Sequence, residues 1–143
     1  NLKRLELLRT QPQLKNKLWE NALKLQNGLK ERGFDIGKTD SVVTPVYMTG
    51  GVEEATAMVM DLRENYHIFC SIVVYPVIPK GHIIYRLIPT ASHTDEDIQE
   101  TLEAFSITKK KLDAGEYKVE AIPDMAEVTG KRFDYLTERP KNK

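Results

Sequence analysis

Leu2, Leu5 and Leu8 recur at three-residue spacing, which predicts a short helix ending near Thr10. Thr10 is placed to cap a second helix, with Pro12 in its first turn, where a missing N–H costs nothing. Leu14, Leu18, Ala22, Leu25 and Leu29 then form one apolar stripe at helical spacing, and Gly33 is its natural stop. Ser41–Met48 reads as a strand through Val42, Val43, Val46 and Tyr47, with Pro45 arguing for an edge or a bulge. Gly50-Gly51 breaks the chain. Val52–Tyr66 returns to helical spacing through Ala55, Met58, Val59 and Leu62. Ile68–Tyr75 is β-branched and apolar, which predicts a buried strand; Pro76–Gly81 is a loop, and His82–Ile88 a third strand. Thr94 with Asp97 resembles a capping box, opening a helix from about Asp95 to Leu112.

The order helix, strand, helix, strand, strand, helix predicts an α+β fold: a small, mostly antiparallel three-stranded sheet with helices on one face. Residues 1–115 form the expected body, and 116–143, which lack a clear period, an irregular tail. The 143 residues fit one core, and a hydrophobic fraction of 41% makes that core modest. Twenty-one basic residues balance twenty-one acidic ones, so the chain has no electrostatic footprint for nucleic acid or an anionic membrane. No stretch approaches the length of a membrane span, and no signal peptide opens the chain. A single cysteine, Cys70, inside an apolar run fits a reduced, cytoplasmic protein with a buried thiol.

Candidate chemistry is sparse. Cys70 has no histidine partner nearby in sequence, and His67, His82 and His93 lack metal-ligand spacing, so neither a thiol nucleophile nor a metal site is expected. The acidic run Asp95-Glu96-Asp97 belongs to a first helical turn, and Lys109-Lys110-Lys111 to a last one, where each sign complements the helix dipole. Arg86 stands out, flanked by Ile83, Ile84, Tyr85, Leu87 and Ile88. An arginine there either points to solvent on the open face or is held at a pocket to meet an anion, and the pattern leaves both readings open.

The run Tyr75-Pro76-Val77-Ile78-Pro79-Lys80-Gly81, then Tyr85-Arg86-Leu87, then Thr90-Ala91-Ser92-His93-Thr94 resembles the C-terminal small domain of the α-oxoamine synthases. In that family a proline-rich loop ending in Pro-x-Gly precedes a strand carrying an arginine, followed by small residues ending in His-Thr and a helix with an acidic start. The resemblance covers roughly Leu14–Phe105. The loop is most similar to the glycine C-acetyltransferase branch, also called 2-amino-3-ketobutyrate CoA ligase. Where many relatives carry Ala-Arg-x-Arg, this chain has Ile83-Ile84-Tyr85-Arg86.

What the resemblance implies is an acyltransferase using pyridoxal phosphate, condensing an amino acid, glycine by preference, with an acyl-CoA. It implies that Arg86 binds the amino acid's carboxylate and that Pro76, Val77, Ile78 and Pro79 form a loop over the active-site entrance; His93 matches a family position too, and is read as ordering the strand-to-helix turn rather than acting in catalysis. It further implies that the Schiff-base lysine and most of the cofactor site lie in a large domain of the same polypeptide, outside this segment. No catalytic residue and no metal ligand is therefore expected here, and the isolated chain is expected to be inactive. The family's members are homodimers. Two rivals remain: another aminotransferase-like enzyme that does not condense an acyl group, and a free-standing α+β module that binds a small ligand or regulates. A bare apolar face on the sheet or first long helix favours the enzyme fragment over the module.

Overall fold

The structure is a computed structural model and describes residues 2–118; the expected tail beyond Lys118 lies outside the described residues. The elements run α1 (Leu2–Thr10), α2 (Pro12–Glu31), β1 (Thr44–Thr49), α3 (Val52–Asn65), β2 (Ser71–Val73), β3 (His82–Leu87) and α4 (Asp95–Asp113). The three strands form an antiparallel sheet in the order β1-β3-β2, so the last strand in sequence is the central one. This is the α+β arrangement that the pattern predicts.

Pro45 sits on the edge strand β1, where its missing N–H is harmless. Tyr47, two residues on, donates its N–H away from the sheet to the Asp35 carbonyl at 2.8 Å, and Pro45 has its nitrogen on that same outer side. The run Ile68–Tyr75 departs from expectation. Only Ser71–Val73 pair, they form the other edge rather than a buried strand, and Phe69 is 81% exposed. The apolar run is real, but β3 takes the sheet centre because it finds a partner on both sides.

Period-two alternation divides β3 cleanly: Ile83, Tyr85 and Leu87 are buried, while His82 and Arg86 are exposed. The inward set meets Val46 and Met48 of β1, Met58 and Leu62 of α3, and Leu102 and Phe105 of α4 in one core. Phe105 is its hub, standing edge-on to Phe34 and to Tyr85 with ring centroids 6.2 and 6.0 Å away.

The helix ends follow their local chemistry with one exception. Thr94 Oγ1 accepts from the Asp97 N–H at 3.1 Å while Asp97 Oδ2 accepts from the Thr94 N–H at 2.7 Å, completing the expected capping box. Gly33, at φ +77°, ends α2 in a Schellman arrangement: its N–H donates to Lys30 O, and that of Phe34 to Leu29 O. Thr10 does not cap α2. Its hydroxyl turns back to the Glu6 carbonyl at 2.8 Å inside α1, and Gln11 takes the N-cap position of α2 without a side-chain capping bond. The leucine stripes are covered only in part. No residue of α1 is buried, Leu2, Leu5 and Leu8 are exposed, and burial along α2 starts only at Asn21.

The packed body reaches Tyr117, which joins the core. At Gly28 the helices α2 and α4 come so close that an added Cβ would stand 2.4 Å from Leu102 Cδ1. Gly28→Ala therefore trades better helix propensity for a clash with a fully buried leucine. A net loss of roughly 1–3 kcal/mol is expected, read as a lower midpoint in urea unfolding, with Leu102→Val recovering part of it.

Candidate functional site

Arg86 occupies the central strand, opposite Pro45 of β1 and Ser71 of β2. Its side chain lies on the face of the sheet away from the helices, together with Tyr47, Ser71, Val73 and Ile84, as the alternation of burial requires. The Arg86 Nε–H donates to Ser71 Oγ at 3.1 Å. Among the described residues no carboxylate pairs with Arg86, so its charge stands uncompensated. In this chain the side chain lies on the open face, and the flanking isoleucines do not bury it.

The loop Pro76–Pro79 lies at the other end of the β2–β3 hairpin. A turn closes it through Val77 N–H to Val74 O at 3.0 Å, the Lys80 ammonium rests over the Tyr75 ring, and Val77 is 78% exposed. Four residues of strand, about 13 Å, separate the start of β3 from Arg86. This chain alone therefore does not bring loop and arginine together.

His93 lies past the far end of β3. Its Nδ1 accepts from the Thr90 N–H at 3.1 Å, and its carbonyl accepts from Asn21 Nδ2 at 2.8 Å. Beside it is a cavity of about 370 Å³ whose walls include Leu25, His67, Ile68, Leu87 and Ile98; Arg86 does not line it.

The described residues do not fit a pyridoxal-phosphate site. A Schiff-base lysine is a desolvated amine whose pKa is pushed down. No lysine described here is buried, and the hydrogen bonds that two of them donate, Lys24 to Asp95 and Glu20 and Lys111 to Asp61, hold their pKa values up. Cys70 is equally unsuited to chemistry, since burial pushes its thiol up to about 11. No group of three or more His, Cys, Asp or Glu is placed to hold a metal ion among the described residues, and no described helix is long and apolar enough to cross a membrane.

No protein-family model matches the chain. Against curated proteins it is 63% identical over 117 residues to a cysteate-C-fatty acyltransferase of Capnocytophaga ochracea, covering 82% of this chain and 28% of that protein. It is 34% identical over 111 residues to an 8-amino-7-oxononanoate synthase of Symbiobacterium thermophilum, covering 78% of this chain and 28% of that protein. Among solved structures it matches a serine palmitoyltransferase from S. paucimobilis carrying a pyridoxal phosphate–myriocin adduct, with TM-score 0.64 and 27% identity over 76% of this chain and 27% of the other. The chain belongs to the α-oxoamine synthase family. Its fold is that of the small C-terminal domain of fold-type I pyridoxal-phosphate enzymes. The same fold appears in an 8-amino-7-oxononanoate synthase from Francisella tularensis, at TM-score 0.66 over 78% of this chain and 32% of that one.

Periodicity missed the polar residues that tie this α-oxoamine synthase domain together. Asn21 is fully buried on the apolar face of α2 and donates through Nδ2 to both Thr90 O and His93 O, fixing the turn that leaves β3. Gln26 does the same for the approach to β1, donating to Ser41 O and Thr44 Oγ1. Asp61, only 10% exposed, accepts from Lys111 at 2.8 Å, from Tyr117 and from Asn65, clamping the end of α4 onto α3. A polar residue at helical spacing among leucines is the one signal that could have found Asn21 and Gln26.

Burial raises the Asp61 pKa, but the hydrogen bonds from Lys111, Tyr117 and Asn65 outweigh it and hold the carboxyl below its ordinary value. A depressed carboxyl contributes stability that is present above the unfolded pKa and is lost as pH falls through the folded one. Asp61→Asn is therefore expected to cost about 1–2 kcal/mol at neutral pH, with the gap to the parent closing below roughly pH 4. Urea unfolding of both at neutral pH and near pH 3 measures this; a gap independent of pH contradicts it.

Proposed function

We propose that the full-length protein is a pyridoxal-phosphate-dependent acyltransferase that joins an amino acid to an acyl thioester, and that this chain contributes Arg86 as the grip on the amino acid's carboxylate. The observation that carries the reading is Arg86 itself: a permanent cation on the central strand, uncompensated, with its terminal nitrogens unpaired among the described residues. A guanidinium so placed can take both oxygens of a carboxylate at once and fix how the substrate's Cα is presented. That contribution is positioning. The chain spans only 28% of its curated relatives, and the cofactor is assigned to residues outside it.

Two substrate pairs compete. The loop Tyr75–Gly81 suggests glycine and acetyl-CoA. The relative at 63% identity is named for cysteate and a fatty acyl group, which supports that pair, and we prefer it. Cysteate carries a sulfonate besides its carboxylate, while among the described residues the open sheet face presents one guanidinium. The second anion is then met by residues other than those described on this face. The homodimer that the family resemblance implies, and the cytoplasmic location that the lone Cys70 suggests, belong to the same reading.

Steady-state kinetics of the full-length protein test it. Turnover of L-cysteate with palmitoyl-CoA is expected to exceed that of glycine with acetyl-CoA; the reverse order restores the glycine reading. Arg86→Ala is expected to raise the amino-acid KM by about 30-fold or more, the loss of a charge-assisted bidentate contact. An unchanged amino-acid KM in a folded variant removes Arg86 from the site.

A further inference from the structure

We infer that Ser71 is a positioning residue for this grip: it holds the Arg86 guanidinium by its Nε and turns the two terminal nitrogens outward to the substrate. The inference rests on the reading of Arg86 just given. Ser71 is the direct cross-strand partner of Arg86 in the β2–β3 register, so both side chains stand on the open face, and the Nε–H···Oγ distance is 3.1 Å.

Three consequences follow from that one contact. An arginine on an open sheet face otherwise has several free torsions, and ordering them costs affinity each time a ligand binds; a bond at Nε fixes the plane beforehand. With Nε occupied, an anion cannot bind side-on through Nε and one Nη, but the end-on approach to Nη1 and Nη2 stays open. The partner is also neutral. An aspartate at position 71 would orient the guanidinium equally well but would cancel the charge that attracts the carboxylate, whereas a hydroxyl orients it and leaves the charge intact.

Neither side chain is buried: Arg86 is exposed and Ser71 half-buried. Ser71→Ala thus removes one hydroxyl from the sheet surface and leaves the core untouched.

The test is kinetic, on the full-length protein with L-cysteate and palmitoyl-CoA, or with glycine and acetyl-CoA if that is the pair turned over. Ser71→Ala is expected to raise the amino-acid KM about three- to tenfold, with kcat and the acyl-CoA KM within about twofold of the parent. Ser71→Thr, which keeps the oxygen, is expected to restore most of the loss. In an Arg86→Lys background Ser71→Ala is expected to have no further effect, because lysine offers no Nε–H in that place. If Arg86→Ala raises the amino-acid KM and Ser71→Ala does not, the inference fails while the role of Arg86 stands. A Ser71→Ala loss that persists in the Arg86→Lys background marks a structural role and overturns it. If Arg86→Ala itself changes nothing, both fall together.

Discussion

The side chain of Arg86 reaches the open face because its neighbours Tyr85 and Leu87 cannot leave the core. Tyr85 stands edge-on to Phe105, Leu87 and Ile83 close the same layer, and a strand with three such anchors has one allowed register. A slip of one residue would bury the guanidinium and expose all three anchors, a loss of several kcal/mol in burial alone. The hydrophobic core and the proposed anion grip are in this sense one feature. The apolar positions of β3 choose the face, and the polar position follows.

Central placement adds a second constraint. β3 has a partner on each side, so Arg86 is flanked by backbone that cannot move independently of the sheet. The turn that leaves β3 is fixed by Asn21, which reaches from α2 to the carbonyls of Thr90 and His93. A site residue on a central strand, with its exit turn tied to a helix, is held more firmly than one on a loop. That suits the role proposed for this domain, to orient a substrate while chemistry proceeds on groups outside it.

Most of this architecture is legible in the sequence. The alternation in His82–Leu87, the capping box at Thr94 and Asp97, and the edge role of Pro45 each have a local physical cause that a single chain displays. What is not legible is pairing. Ile68–Tyr75 is as apolar as any strand in the chain, yet it lies at an edge, because sheet order depends on which strand finds two partners. The hydrogen bond between Ser71 and Arg86 joins residues fifteen apart and appears only once the β2–β3 register is known. Buried Asn21 and Gln26 were hidden for a related reason: their partners are carbonyls of loops, which carry no side-chain signal. Thr10 shows the opposite failure. Its hydroxyl had a choice between capping forward and bonding back, and the backward bond won.

The most direct measurement is a crystal structure of the full-length protein with its amino-acid substrate bound. The substrate carboxylate is expected end-on to Arg86, with Nη1 and Nη2 each about 2.7–2.9 Å from one oxygen and Nε still on Ser71. A carboxylate held by other residues, with the Arg86 guanidinium turned to solvent or paired to an acidic side chain, would contradict it.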